Sequence, residues 1–541
     1  MGVVPRPPTT STPIRHTADP VQTREDLAAI RPELLERYDA ELPGARASVL
    51  GRLLGALARE PLPGLGGRRA GEVSFPGVTV RFPVGAAEAF AVNEAGLAAA
   101  VRAAGAGPAP GDPIIGGAGW GETPPGAVIM DPGTLVRVLW PGSDLAAEID
   151  NSVANMALAR AARHRERLPQ PGDPDGLAKA EQSIVDGHPL HPCCRTRAGM
   201  SVADVLAYAP EHSPTIRLRR LRVPADRWYG SAEPVLLAHP WQAERLRDQY
   251  PWLTDAGETG PARPLMSLRT VALANGGPHV KTAVDVQMTS AVRTVSPAAV
   301  HNGPILSALL RQLTADLPID VLAETTAGAV RIDGHPQRRL AFLAREAPRL
   351  ADGETVVPLA MYGASALLLS TVPNAYDFLV LMGSLLFAPL LRVLDRGVAL
   401  EAHGQNTLVV LRDHRPTRIL YRDLGGVRVS ARRLHRAGVE APALHGDLPT
   451  DDPRVLRTKL AAAALGSVAS ELIAALTRSH GADPGRLWRI LAAAIHDTGT
   501  EDARHLLREP LPIKATTAMR LAADPLDDIW AYTDNPLAAH A

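Results

Sequence analysis

The segment SLRTVALANGGPHVKTAVDVQMTSAVRT, residues 267–294, constrains this chain more than any other stretch. Two strand-like runs, SLRTVAL and VKTAVDVQM, flank Asn275-Gly276-Gly277-Pro278, a strong turn signal. The pattern predicts an antiparallel hairpin. Alternate residues of a strand share one face, and Ser267, Arg269, Lys281, Thr289 and Arg293 all carry odd numbers. If the loop holds an odd number of residues, Ser267 and Arg269 share a face with Lys281, Asp285 and Thr289. Such a face suits the polyphosphate of ATP better than a core. The competing reading is a solvated outer strand face.

Of the 57 Lys and Arg residues only four are lysines: Lys179, Lys281, Lys459 and Lys514. A lysine kept in a strand of Val, Thr and Ala is kept for its chemistry. Lys offers a compact point charge and Arg a planar fork, so the two are not equivalent at a phosphate.

Composition sets outer limits. A chain of 541 residues is long enough for two to four domains with large cores. Formal net charge is zero and like charges form no block, so nucleic acid and anionic membrane surface are excluded as expected partners. The two cysteines, Cys193 and Cys194, are adjacent, which excludes a disulfide framework and cannot supply the four thiolates of an iron–sulfur cluster. The N-terminus, MGVVPRPPTTSTPIRHTADP, has no apolar run of the secretory type, and residues 1–20 read as a disordered tail. The longest apolar run, Phe378 to Leu391, is short for a membrane span and suits a buried helix. A soluble, cytoplasmic protein is expected.

Apolar spacing predicts helices over 24–60, short strands in EVSFPGVTVRFPV, and a helix in AEAFAVNEAGLAAAVRAA, residues 87–104. A Pro/Gly-rich loop follows from Gly105 to Gly126, with a glycine cluster that lacks the setting of a nucleotide fingerprint. A helix is predicted over 145–168, strands and turns over 180–300, mixed elements over 305–400, and helices over 453–500.

TLVVL and TRILYRD form a second predicted hairpin around Asp413-His414-Arg415-Pro416. A turn centred between His414 and Arg415 sets Asn406 opposite Asp423, and the preceding EAHGQN adds Glu401 and His403. Carboxylates with a carboxamide are hard oxygen ligands suited to Mg²⁺ beside phosphates. The imidazole could serve as general acid/base or as a donor to a substrate carboxylate. The plainer alternative is a polar hairpin end with a capping Asp. In GHPLHPCCRTRAG, His188 and His191 are each followed by Pro and lie in extended chain, with no third ligand at zinc spacing, so anion binding with Arg195 and Arg197 is the better reading. GGPHVKT lacks the glycine before its lysine and is not a P-loop.

Nine segments in order resemble the siderophore synthetases that work without nonribosomal peptide synthetases, the aerobactin synthetase or IucA/IucC-like family. They are NSVAN (151–155), GHPLHPCCRTRAGMS (187–201), AHPWQ (238–242), SLRTV (267–271), VKTAVDVQMTSAVRT (280–294), NGP (302–304), EAHGQN (401–406), YRDLGG (421–426), and PIKATTAMRL with NPL (512–521, 535–537). The resemblance implies an ATP- and Mg²⁺-dependent ligase that adenylates a carboxylate, typically citrate or a related di- or tricarboxylate, and passes the acyl group to an amine, hydroxylamine or alcohol. Joining or cyclising succinyl-hydroxamate units, or a non-catalytic iron-handling role, are the alternatives. It implies ATP contacts at Ser267, Arg269, Lys281, Thr289, Arg293 and Asn406 and at one of His188 and His191. It implies substrate-carboxylate contacts at Thr289, Arg293 and His403, with Lys281, Arg293 and His403 catalytic. Asn406 and Asp423 match the Mg²⁺ side, with Glu401 nearby. Arg195 stands where the family usually has Lys. The implied fold is α+β and multidomain: an N-terminal thumb (21–150), fingers with an antiparallel ATP-binding sheet (151–340), and a helical palm (341–541), usually as a homodimer.

Overall fold

A computed structural model describes residues 18–103, 126–163, 165–288, 291–524 and 528–541. The expected glycine-rich loop and Thr289 lie outside the described residues. The fold is α+β, as expected.

The N-terminal region pairs helices with a small sheet. Asp19 opens the helix Pro20–Ile30, accepting hydrogen bonds from the Val21 and Gln22 amides at 2.8 and 2.9 Å. The helix Leu35–Arg59 buries Val49, Leu50, Leu53, Leu54 and Leu57, the spacing of one helical face. Five antiparallel strands follow in sequential order: Gly67–Arg69, Glu72–Phe75, Val78–Arg81, Ala99–Ala103 and Ala127–Ile129. The helix predicted over 87–104 is therefore wrong. Gly96, at φ +96°, interrupts the segment, and Ala99–Ala103 becomes a strand between two others. Ala99 enters the same core as Leu50, so sheet pairing and burial override alanine's helix propensity.

The middle of the chain carries a six-stranded antiparallel sheet. Its order is Ala262–Pro264, Thr270–Leu273, His279–Thr282, His335–Arg345, Glu324–Ile332, Trp228–Gly230. Residues 150 and 340, the approximate cuts expected between domains, fall within the helix Leu145–Ala161 and the strand His335–Arg345.

The C-terminal half is built on the predicted hairpin, Thr407–Arg412 with Arg415–Tyr421, flanked by Glu354–Pro358 and Ile319–Val321. Helical segments Ala375–Arg396 and Pro453–His480 are long and apolar enough to cross a membrane, but 67% and 72% of their apolar windows are buried inside the protein. Leu379, Phe387, Leu394, Leu460, Leu465 and Leu476 from them join one core. The apolar run 378–391 is a buried helix, as predicted.

One buried ion cluster ties the GHPLHPCCRTRAG loop to the fold. Glu211 is enclosed by Arg195 and Arg197, each at 3.1 Å. Burial acts to raise the Glu211 pKa, but the two guanidinium groups outweigh it and hold it at about 2. Arg195 also donates to the Val185 and Ile184 carbonyls, so it is a structural anchor and not a stand-in for a reactive lysine. Glu211→Ala leaves two buried cations uncompensated and should cost about 3–5 kcal/mol in denaturant unfolding. Because the folded pKa is depressed, the Glu211 contribution is present above pH 4.5 and lost as pH falls towards 2. Acid titration of the wild type and of Glu211→Gln checks this: the variant's stability should change less across that window.

Candidate active site

The first hairpin exists, but strand alternation is not what assembles the cations. Thr270 pairs with Lys281 and Val271 with Val280, so odd residues face even ones across a loop of even length. Ser267 and Arg269 are not in the strand at all. They form a turn closed by the Thr270 amide on the Ser267 carbonyl at 2.8 Å. The Arg269 carbonyl then accepts from Thr282 N at 2.9 Å and Oγ1 at 3.0 Å. This turn, locked onto the neighbouring strand, swings Arg269 towards Lys281. Arg293 arrives on a second short hairpin, opposite Val284.

The cations meet at Asp423. Lys281 Nζ lies 2.7 and 2.6 Å from the two Asp423 oxygens. Burial lowers the Lys281 pKa. Burial acts to raise that of Asp423, but Lys281, Arg345 and Arg269 outweigh it and hold the carboxyl far below the usual range. Glu324 sits beside it, its pKa raised by burial and by the Asp423 charge, its Oε1 accepting from the Leu424 amide at 3.2 Å. Arg293 is pushed down to about 10 by burial, then by Arg269. Arg345 is likewise pushed to about 10, by burial, then by Arg422. Among the described residues, the cations Arg269, Lys281 and Arg345 share the carboxylates Asp423, Glu324 and Glu181 with the neighbouring Arg422, and Arg293 adds a further positive charge beside Arg269. Arg269 Nη1 donates to the Thr294 carbonyl. Arg269 Nε and Arg345 Nε and Nη1 are buried with no hydrogen-bond partner among the described residues. Buried donors left open beside a surplus of positive charge are complementary to a multiply charged anion.

The second hairpin differs from its predicted register by one residue. Asp413 and His414, both at positive φ, make a two-residue turn, and a bulge follows between Val410 and Leu411. Asn406 therefore opposes Arg422, whose amide donates to the Asn406 carbonyl at 3.0 Å, and not Asp423. Asp423 itself adopts φ +71°, an uncommon conformation for a non-glycine residue that aims it at Lys281. Glu401 is held by Lys459 at 2.9 Å, and Lys459 and Lys514 share Asp528 at 3.6 and 2.8 Å. The Asn406 side chain donates to the Glu401 carbonyl at 3.4 Å. Glu401, Asn406 and Asp423 are thus not a preformed ligand cage: each carboxylate already has a lysine. No group of three or more His, Cys, Asp or Glu that could hold a metal occurs among the described residues.

The histidines share one device. The Nδ1 atoms of His188, His191 and His403 accept from the backbone amides of Leu190, Cys193 and Gln405 at 3.2, 3.0 and 3.3 Å. Each Nε2 is then the protonated nitrogen. Burial lowers all three pKa values, His188 to about 3, so the rings are neutral donors at pH 7. After burial, the largest influence on His188 comes from the His403 ring, so the GHPLHP and EAHGQN loops lie near each other.

Arg345, Glu324, Lys459 and Lys514 were missed as site residues. Lysine rarity, which singles out Lys281, applies equally to Lys459 and Lys514. Arg345 and Glu324 end ordinary-looking strands and carry no local signal.

The Lys281–Asp423 contact joins two sheets, so it should be energetically coupled. Lys281→Ala and Asp423→Asn, singly and together, should give an interaction energy of about 1–3 kcal/mol in a double-mutant cycle by denaturant unfolding. Additive effects would show that the pair does not hold the sheets together.

The IucA / IucC family matches residues 176–234 and 230–362, and the family described as ferric iron reductase FhuF-like transporter matches 383–538. Staphyloferrin A synthase of Staphylococcus aureus (strain NCTC 8325 / PS 47) is 26% identical over 427 residues, covering 67% of this chain and 73% of that protein. Petrobactin biosynthesis protein AsbB from Bacillus anthracis str. Sterne superposes with a TM-score of 0.74 at 17% identity, over 94% of this chain and 98% of that one. ATP-bound aerobactin synthetase IucA from a hypervirulent pathotype of Klebsiella pneumoniae gives 0.69 at 19% identity, over 91% and 99%. The IucA/IucC match includes the six-stranded sheet that carries Lys281, and the superpositions show that the chain has the fold of these synthetases over nearly its whole length.

Proposed function

We propose that this protein is an ATP-dependent siderophore synthetase that adenylates a carboxylate, citrate or a related di- or tricarboxylate, and condenses it with an amine, hydroxylamine or alcohol. The observation that carries the reading is the buried cation surplus around Asp423, with its unpartnered Arg269 and Arg345 nitrogens. Staphyloferrin A synthase as a relative and ATP-bound IucA as a structural neighbour support the same chemistry.

Arg269, Lys281 and Arg293, with Ser267, hold the triphosphate, and Thr289 is assigned to the same role by the family resemblance. A substrate carboxylate seated by Arg293, Thr289 and His403 attacks the α-phosphorus, the bond to the β-phosphate oxygen breaks, and pyrophosphate leaves. The neutral Nε2–H groups of His403 and of His188 or His191 donate to phosphate or carboxylate oxygens without adding charge. The nucleophile's lone pair then attacks the acyl carbon and AMP departs. Preorganised charge of this kind is the main source of rate acceleration in such sites. Mg²⁺ takes one or two carboxylates and completes its shell with phosphates and water, so the hard oxygens of Asp423 and the Asn406 amide, with Glu401 nearby, fit it by donor type. When bound it would offset the charge of the departing pyrophosphate. A homodimer working in the cytoplasm completes the reading.

The FhuF-like match would favour iron reduction, but the two cysteines are at 193 and 194, outside the matched 383–538, and both are buried. No thiolate set for a cluster is available there.

With ATP and a panel of carboxylates, citrate first, the products should be AMP and pyrophosphate, and hydroxylamine should trap the adenylate as a hydroxamate. ADP and inorganic phosphate in equal amounts would sink the adenylate route. Lys281→Ala should lower trapping by about 10²–10³; near-native turnover in the folded variant would remove Lys281 from the site.

A further inference from the structure

Arg422 lies in the YRDLGG segment, next to Asp423, and has no part in the adenylation steps. It is 2% exposed, and so nearly is its counter-ion, Glu181, at 1%. Glu181 sits on the helix Gly176–Gln182, outside every segment that carries the family resemblance. Arg422 Nη1 lies 2.7 Å from Glu181 Oε1, a contact that acts through charge because it is not aligned as a hydrogen bond. Both partners spend their remaining atoms on backbone. Glu181 Oε2 accepts from the Met266 amide at 2.7 Å, immediately before the Ser267–Arg269 turn. Gln182, next on the helix, donates to the Pro264 carbonyl at 2.9 Å and fixes the helix end to the same strand. On the other side, Arg422 Nε and Nη2 donate to the Gln405 carbonyl at 3.1 and 2.9 Å. The Gln405 amide in turn donates to His403 Nδ1 at 3.3 Å.

We propose that Glu181 and Arg422 are positioning residues: their buried ion pair holds the Ser267–Arg269 turn and the EAHGQN loop at a fixed separation, and through Gln405 it keeps the His403 proton on Nε2. The contacts form one chain, from the Met266 amide through Glu181, Arg422 and Gln405 to the His403 ring. A buried ion pair gains little stability over a well-packed apolar pair, because desolvation offsets the attraction. An apolar pair, however, could neither accept from Met266 nor donate to Gln405, and those two backbone groups are what the pair orients. The hydrogen bond made by one ring nitrogen sets which nitrogen of a histidine carries the proton, so fixing Gln405 fixes the tautomer. The two charges also cancel, so Arg422 does not enlarge the positive surplus that Arg345, which feels both groups, presents. The inference rests on the functional reading above, which gives Ser267, Arg269 and His403 their roles.

The first readout needs no turnover. In the full-length protein with ¹⁵N-labelled histidine, the His403 signals, identified by their loss in His403→Gln, should show a protonated Nε2 and a bare Nδ1 at neutral pH. In Arg422→Met they should move to those of mixed tautomers; if that variant does not fold, Arg422→Lys, which keeps the charge but cannot fork onto Gln405, reads the same shift. Unchanged His403 signals in the folded variant overturn the proposal. The second readout is hydroxamate trapping with citrate. Small misplacements of reacting groups cost up to about 10²-fold in rate. Arg422→Met should therefore lower kcat about 10- to 10²-fold, while KM for ATP, whose turn still has Glu181, moves less than about twofold. Glu181→Leu combined with Arg422→Met removes both charges and also frees the Met266 amide. Its melting temperature should stay close to that of the wild type, yet its kcat should remain low and its KM for ATP should rise about fivefold or more. A double variant that melts and turns over like the wild type, or activity that falls only with the folded fraction, shows the pair to be structural alone and overturns the proposal. A wild type that forms no adenylate from any carboxylate would overturn the functional reading instead, and the His403 signals would still decide the positioning.

Discussion

The structure turns on one contact, the Lys281 ammonium against the Asp423 carboxylate at 2.6 Å. Lys281 belongs to the six-stranded sheet of the middle region, and Asp423 to the end of the C-terminal hairpin. Their side chains are only 11% and 27% exposed, so charge is weakly screened there. Two sheets with separate cores are thereby brought together at a point where further cations converge. A neutral pair would leave Arg269, Arg293 and Arg345 as a cluster repelled by its own charge. Asp423 lowers that repulsion without cancelling it, and the residue is a positively charged hole.

The two sides of the cleft use different electrostatics. On the Asp423 side the groups are charged and mutually perturbed, with Glu324 raised by burial and the Asp423 charge, and Asp423 depressed by Lys281, Arg345 and Arg269. On the histidine side the rings are neutral, each with Nδ1 tied to a backbone amide two residues on. The Pro after His188 and after His191 keeps the chain extended, which makes that short amide-to-ring bond possible. Charged donors suit a polyphosphate, and neutral donors suit oxygens whose charge must stay free to react.

Much of this was legible beforehand because it depends on residue type and order. Lys281 stood out by lysine scarcity, and the turns at Asn275–Pro278 and at Asp413–His414 were both found. The same scarcity marks Lys459 and Lys514. The strand at Ala99–Ala103 was not legible, since Ala-Ala-Val-Arg-Ala carries no clear periodicity and only pairing partners decide between helix and strand. Register was the other failure. Parity put Ser267 and Arg269 on the Lys281 face, yet a four-residue loop and a turn at Ser267–Arg269 do the work. In the second hairpin the turn is centred one residue earlier than predicted, which alone would set Asn406 opposite Tyr421, and the bulge after Val410 brings it to Arg422.

The sequence alone determined which chemistry this protein carries: its cations, its histidine loops and its two adjacent cysteines, too few for a cluster, are matters of composition and local order. The tertiary structure decided which of these groups meet. Arg345 and Glu324 join the site only because their strands end where Asp423 arrives from another sheet. Glu401 turns to Lys459, and Asp423 to Lys281, because buried charges must find partners in three dimensions. Such pairings depend on distances across the fold, and no spacing along the chain encodes them.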